Sequence, residues 1–532
     1  MAVSVCFGKL SGKRRVVMGV LGVVLAVTAS GLAGCTSSGS AAPDAQVQVH
    51  VSDGWLQGTV SQGAREFLDV PYAAPPVRFA PPQPALAWHG VRSATAHGPA
   101  CIQFQPGGVL AGTATSEDCL YLDIYTPAGA RPSDKLPVLF WIHGGNFTEG
   151  SGVIYGGQQF ASLTNSIFVS INYRLGVDGF LALSQLESAS PQGTGDYGLL
   201  DQIAALKWVR SNIAAFGGDT HSVTIDGQSA GSGSVCDLLA SPLAAGLFQR
   251  AIMESGPCTT VRPASLPASE GAGEQFAAAA GCGTPTTVVT CLRDARTSAL
   301  VAAAQQDVIN TPAYDTPALP LPPAEAFGNG HWNKVPVIVG GVRDEGKLFF
   351  DTETDMTKDQ YQYAIDTTYG NSAAAVLARY PLRDYPSPFY ARAAVFTDSL
   401  EACPDYLGAN TFASQVPTWE EEFDDPALPT FMWGIPSGVN MSDAHSVELY
   451  FLWNITGMKH PLTSDEQRLG EQMDQYWAAF ARTGNPKVPG QAAWPAVTPG
   501  AHPVLDFHPT GNIVSTSFLA EHQCDFWSTV FP

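Results

Sequence analysis

The apolar residues of this 532-residue chain fall into short, closely spaced runs whose period changes along the sequence. Val47 to Val51, Trp55 to Val60 and Glu66 to Val70 alternate or cluster apolar positions between glycine-containing turns, the pattern of antiparallel hairpins. Leu120 to Tyr125, Val138 to His143 and Ile167 to Tyr173 are compact apolar runs of strand length. Leu199 to Asn212 instead places Leu199, Ile203, Leu206 and Val209 at helical spacing, with Asp201 expected in the first turn. Ser222 to Ile225 reads as strand, Ser232 to Ala240 as helix, Phe248 to Ser255 as the next strand and Val335 to Gly340 as a short buried one. Glu471 to Arg482 predicts a late helix stopped by Gly484-Asn485-Pro486. Strands alternating with helices predict an α/β fold with a largely parallel central sheet covered on both faces. The stretches between Thr259 and Asn333 and between Asp351 and Gly438 carry no readable pattern and are expected to be insertions. No linker or repeat divides the chain after Pro43, so residues 47–532 are expected to form a single domain.

The N-terminus follows a different pattern. Lys9, Lys13, Arg14 and Arg15 precede the apolar run Val16 to Ala29 and then Leu32-Ala33-Gly34-Cys35, the layout of a secretory signal over residues 1–34. The Leu-Ala-Gly-Cys ending resembles a bacterial lipobox, which implies cleavage before Cys35 and lipid attachment to it. The small polar residues 36–46 suit a tether, and a two-chain lipid would give a stable anchor at the outer face of the cell membrane. Of 27 basic residues four lie in the removed segment, leaving 23 against 48 acidic ones, a mature net charge of −25. Such acidity argues against nucleic acid as a partner and against close contact with anionic lipid, leaving the lipid anchor as the only expected membrane contact.

Ten cysteines also fit export. Cys6 lies in the signal and Cys35 is the candidate lipid site. The remaining eight are expected to pair as Cys101–Cys119, Cys236–Cys258, Cys282–Cys291 and Cys403–Cys524. No Cys/His spacing suggests a metal site, and no cofactor is expected.

Candidate chemistry starts at Gly227-Gln228-Ser229-Ala230-Gly231, where the strand-like Ser222–Ile225 hands over to the helical segment. Gly-x-Ser-x-Gly at such a junction describes a nucleophile elbow, in which flanking glycines permit a turn too tight for side chains. A serine hydroxyl needs a base to take its proton, a carboxylate to orient that base, and backbone donors for the oxyanion. His143-Gly144-Gly145-Asn146, directly after an apolar strand, supplies small residues whose N–H groups, with that of Ala230, can converge on one point. Glu345 and Asp344, just after the Val335–Gly340 strand, are rival acids that spacing alone does not separate. Five histidines follow: His445, His460, His502, His508 and His522. His445 lies on a loop running into an apolar stretch and is the preferred base.

These motifs, in this order, resemble the type-B carboxylesterases, the α/β-hydrolase family that includes cholinesterases and fungal lipases. The resemblance runs from about Ser52 to Trp527. It is carried by Ser116-Glu117-Asp118-Cys119-Leu120-Tyr121-Leu122, by His143-Gly144-Gly145, by Asn172-Tyr173-Arg174-Leu175-Gly176, and by Leu200-Asp201-Gln202 through Phe216-Gly217-Gly218-Asp219 into the elbow. It implies a triad of Ser229 (nucleophile), Glu345 (acid, in preference to Asp344) and His445 (base), acting on a small-molecule carboxylic ester without a cofactor. It matches Ser255 to a buried serine that supports the triad in some relatives, with core packing as the alternative, and supports the Cys101–Cys119 and Cys282–Cys291 pairs. Two departures stand out. Asn146 occupies the place of a third oxyanion-loop glycine and is expected to narrow the pocket. Gln228 replaces the Glu that precedes the serine, which removes a charge suited to cationic substrates. A lipase for long acyl chains and a non-catalytic adhesion-like relative are the competing expectations.

Overall fold

The computed structural model describes residues 47–104, 113–187, 190–259, 263–304, 309, 311–427, 438–455 and 462–531. The signal segment, Cys35, the tether and His460 lie outside the described residues. Thirteen strands form one sheet. They are β1 (Val47–Val51), β2 (Gly54–Ser61), β3 (Ala64–Pro71), β4 (Val91–Ser93), β5 (Tyr121–Pro127), β6 (Leu136–Ile142), β7 (Ile167–Ile171), β8 (Gly218–Gln228), β9 (Arg250–Glu254), β10 (Val337–Val342), β11 (Thr418–Phe423), β12 (Val504–Phe507) and β13 (Ile513–Ser515). Their spatial order is β1-β2-β3-β5-β7-β6-β8-β9-β10-β11-β12-β13, with β4 beside β2. β1, β2, β3, β5 and β7 pair antiparallel in turn while β4 lies parallel to β2, and the tight turn between β2 and β3 holds Gln62 and Gly63 at φ 48° and 81°. From β7 to β12 every neighbouring pair is parallel.

The parallel strands are apolar on both faces because both are covered. Along β6, Val138, Phe140 and Ile142 enter one hydrophobic cluster, and Leu139 and Trp141 the opposite one. Four helices bear on the site: α1 (Tyr197–Asn212), α2 (Ala230–Ala240), α3 (Gly346–Phe349) and α4 (Ser464–Thr483). Asp201 is not in the first turn of α1, which begins two residues earlier than the hydrophobic spacing suggested. Instead, Asp201 is fully buried, and its carboxylate accepts two hydrogen bonds from the Arg174 guanidinium at 2.7 and 2.8 Å. Helix α4 likewise starts earlier than expected. Thr463 caps it, its hydroxyl accepting from the Glu466 N–H while Glu466 accepts from the Thr463 N–H, and Gly484 at φ 76° ends it.

One strand contradicts the sequence reading outright. β11 lies in the stretch taken as an insertion, yet it is an inner strand of the parallel block, and all six of its residues are buried. Its segment Thr418-Trp419-Glu420-Glu421-Glu422-Phe423 carries three consecutive carboxylates, which masks the strand. Alternation sends Glu420 and Glu422 to one face, where His502 meets the first and His522 and Arg343 meet the second. Glu421 points the other way. The eight cysteines after Cys35 form the four disulfides Cys101–Cys119, Cys236–Cys258, Cys282–Cys291 and Cys403–Cys524. Four disulfides suit a chain that works in an oxidising, extracellular compartment. Among the described residues no helix is long and apolar enough to cross a membrane.

Candidate active site

The carboxyl ends of β6, β8 and β10 meet at one edge of the sheet, the place where an open parallel sheet presents reactive groups. β8 ends at Gln228 and α2 begins at Ala230, so Ser229 is the whole connection. It takes φ 59° and ψ −124°, a backbone strain tolerated where surrounding structure enforces it. Its N–H donates to the Glu254 carbonyl at 2.9 Å, tying the elbow to β9, and its own carbonyl accepts from Gly233 N–H at 3.0 Å. Gly231 is required by space: a Cβ there would lie 2.0 Å from the Ile142 carbonyl oxygen.

β6 leads into the oxyanion-loop candidate. Gly145, Asn146 and Phe147 all adopt positive φ, at 110°, 53° and 56°. The Gly145 carbonyl closes the turn by accepting from Thr148 and Glu149 N–H at 3.0 Å each. A Cβ on Gly144 would be 3.0 Å from the Ser229 Cβ, so loop and elbow are in contact. His143 anchors the loop. Its Nδ1 donates to the Gly144 carbonyl at 2.8 Å, its ring stacks on Tyr173 at 4.5 Å, and the Tyr173 hydroxyl donates to its carbonyl at 2.9 Å. Burial pushes the His143 imidazole down to about 4, so it is neutral and structural.

Glu345 and His445 lie 100 residues apart in sequence, and the fold brings them into contact. His445 Nδ1 donates to Glu345 Oε2 at 2.5 Å, and Glu345 Oε1 accepts from the Val342 N–H at 2.9 Å. Asp344 turns away: its carboxylate pairs with Lys347 at 2.6 Å and is 40% exposed. The Phe349 ring of α3 lies 4.9 Å from the imidazole. On the other side, the Gln228 amide nitrogen is 3.2 Å from His445 Nε2. Ser255 is buried at φ 50°. A Cβ on Gly341 would meet both Glu345 Oε1 and Ser255 Oγ, at 2.5 and 3.1 Å, but Ser255 Oγ makes no hydrogen bond among the described residues. Three other histidines have separate duties. His502 lies in tilted contact with the Tyr406 ring and pairs with Glu420, His508 bonds Thr510, and His522 bridges Asp398 and Glu422.

The matching family model is that of the carboxylesterase family, and it covers residues 44–527. The chain belongs to this family. It is 35% identical over 470 residues to the para-nitrobenzyl esterase of Bacillus subtilis (strain 168), covering 83% of this chain and 91% of that protein. To the cocaine esterase of Homo sapiens it is 33% identical over 508 residues, covering 88% of each. A solved PNB esterase structure superposes with a TM-score of 0.77 at 32% identity, covering 91% of this chain and 99% of that one. The fold is therefore the α/β-hydrolase fold, and the protein is a carboxylic-ester hydrolase.

The sequence reading missed one feature behind this carboxylesterase elbow. Asp226, Glu254, Glu421 and Glu448 are all buried there. Trp477 Nε1 of α4 donates to Glu254 Oε1 at 2.8 Å, while Glu254 Oε2, Glu421 Oε2 and both Glu448 oxygens have no hydrogen-bond partner among the described residues. Burial, and then mutual repulsion, raise Asp226, Glu421 and Glu448 well above the ordinary carboxylate range. Burial therefore disfavours the charged form of each. The signal that could have found them is a carboxylate inside an otherwise apolar strand run, as at Asp226 in Val223 to Gln228.

Proposed function

We propose that this carboxylesterase hydrolyses neutral carboxylic esters by two-step acyl transfer through Ser229, His445 and Glu345. The observation that carries the reading is the 2.5 Å contact of His445 Nδ1 with the buried Glu345, beside a strained Ser229 at a strand-to-helix elbow. With Nδ1–H directed to Glu345, Nε2 is the basic nitrogen, and it faces the elbow. Ser229 Oγ attacks the ester carbonyl as its proton passes to Nε2, and the carbonyl π electrons move to oxygen. That oxyanion is received by backbone N–H groups of Gly144, Gly145, Asn146 and Ala230. Ala230 opens α2, so its N–H has no acceptor within the helix. The Nε2 proton then leaves with the alcohol, and water, deprotonated by His445, releases the acid from Ser229. Nothing in this sequence calls on a metal or organic cofactor. Gln228 brings no charge to the elbow, which favours neutral esters over cationic ones.

The N-terminal reading supports an exported form: cleavage of residues 1–34, lipid on Cys35, residues 36–46 as tether and one catalytic domain from 47 to 532. A mature protein whose N-terminal peptide lacks a lipid mass at Cys35 would remove the anchor from this picture. The catalytic assignment is tested with Ser229→Ala on p-nitrophenyl acetate. We expect at least a 10³-fold loss of kcat, and a fluorophosphonate probe should label the Ser229 peptide of the unaltered protein. Hydrolysis by Ser229→Ala at the unaltered rate overturns the assignment.

A further inference from the structure

A primary amide stands where the base must meet its nucleophile. Gln228 closes β8 at 2% exposure, and its Nε2 lies 3.2 Å from His445 Nε2. A carboxylate can only accept, so the proton on the other side of the imidazole sits on Nδ1, directed to Glu345, and Nε2 presents a lone pair. The amide N–H is the donor that fills it. Among the described residues no hydrogen bond joins His445 Nε2 to Ser229 Oγ. The amide oxygen faces the neighbouring loop, since a Cβ on Gly144 would lie 3.2 Å from Gln228 Oε1. The side chain is thus wedged between the imidazole and the oxyanion loop.

We infer that Gln228 is a positioning residue that holds the resting His445 imidazole as its neutral Nδ1–H tautomer and releases Nε2 to Ser229 Oγ when substrate enters. The inference rests on the triad reading above and concerns the regulation of that same site. Once Nε2 has taken the serine proton it becomes a donor, and only an acceptor can face it. An amide can serve either state, but its resting placement, NH₂ toward the ring and Oε1 toward the loop at Gly144, favours the neutral one. A carboxylate at this position meets only the protonated state. It repels the Nε2 lone pair and favours the protonated ring, which cannot act as base. The amide therefore keeps the base neutral to lower pH than a carboxylate there would allow.

Other titratable groups surround the ring. Glu345 follows β10 and Glu254 ends β9. Asp443, two residues before the histidine, is pushed up to about 8 by burial and by Asp344 and Asp424. Glu448, three residues after it, is raised by burial. His143 after β6 is neutral, and Lys347 of α3 is tied to Asp344 and the Ser442 carbonyl. A substitution at position 228 leaves all of these in place, so differences between variants report on residue 228.

The test is the pH dependence of kcat/KM from pH 5 to 9 for the full-length protein, Gln228→Glu and Gln228→Met, with p-nitrophenyl acetate, alongside thermal melting. The acid limb is expected to move up by about one pH unit in Gln228→Glu and about half a unit in Gln228→Met, which fills similar space without a donor. A purely structural role would change kcat or melting temperature and leave the limb where it is. Coincident limbs for all three proteins, or a limb that moves down in Gln228→Glu, overturn the inference. If Gln228→Glu does not fold, the Gln228→Met limb decides alone. Ser229→Ala separates the two levels: an inactive Ser229→Ala with coincident limbs refutes only the role of Gln228, whereas an active Ser229→Ala refutes the triad itself.

Discussion

Gly231→Ala isolates the geometric demand of the elbow from its chemistry, because it adds one methyl group and no polarity. The new Cβ would lie 2.0 Å from the Ile142 carbonyl oxygen, 2.9 Å from the Ile142 carbonyl carbon and 3.1 Å from the His143 carbonyl carbon. Ordinary contact begins at 3.4 Å, so the two segments must separate by about 1.4 Å along the shortest vector. Neither side yields easily. Ile142 is held between β7 and β8 by its pairings with Ile171 and Gly227, and every residue of α2 is buried. The shift therefore opens the junction between Ser229, two residues before the methyl, and the loop that starts at His143. Misplacement of about 1 Å at a reacting centre costs on the order of 10²-fold in rate, and the overpacking itself about 1–3 kcal/mol of stability. Steady-state kinetics with p-nitrophenyl acetate, fluorophosphonate labelling rates and thermal melting read the two effects separately. Gly271→Ala is the matched control. It lies within the helix Leu266–Ala279 with nothing within 4 Å of the added Cβ, so it should gain about 0.5–1 kcal/mol and leave activity alone. A folded Gly231→Ala enzyme within threefold of the unaltered rate would refute the claim that this close approach sets a working distance between the proposed nucleophile Ser229 and the loop after His143.

Two further outcomes follow from buried charge. Arg174→Met strands the Asp201 carboxylate, which is fully buried and loses both guanidinium hydrogen bonds, at a cost of about 3–5 kcal/mol measurable by urea unfolding; a loss below 1 kcal/mol would show that water reaches the carboxylate. The pH dependence of stability should run downward from pH 5 to 9. Burial lifts Asp178 and Asp196 to about 7, so their contribution is fully present below the unfolded value near 4 and is lost as pH rises through 7. His522 adds the same sign: burial alone would lower it, but Glu422 and Asp398 outweigh that and raise it to about 10, so its contribution fades as pH climbs toward 10. A melting temperature that is flat or rising over this range would contradict the upward shifts of Asp178, Asp196 and His522.

What could be read from the chain before its structure depended on how far each requirement extends in sequence. The elbow was legible because its demands are local: glycines at 227 and 231, a strand before and a helix after. β6 and β7 were legible because both faces are apolar, and the hairpins because their turns carry glycine. β11 was not, since a reading based on residue type takes Glu420-Glu421-Glu422 as solvated, while the fold spends two histidines and an arginine on one face of that strand and leaves Glu421 among other acids on the opposite face. Asp201 was misread for a related reason, its position in a helix suggesting an end effect where an arginine 27 residues earlier sets its role. The choice between Glu345 and Asp344 turns on which carboxylate points at a histidine 100 residues later, a fact of tertiary geometry. The Gln228 contact spans 217 residues, and the sequence shows only that a charge is missing there. The structure changes the meaning of that substitution. An absent carboxylate is a statement about which substrates are disfavoured, whereas an amide donor aimed at His445 Nε2 bears on the control proposed for the base. That second property would matter most at the acid side of its pH range, where the buried carboxyl groups also cost the fold least.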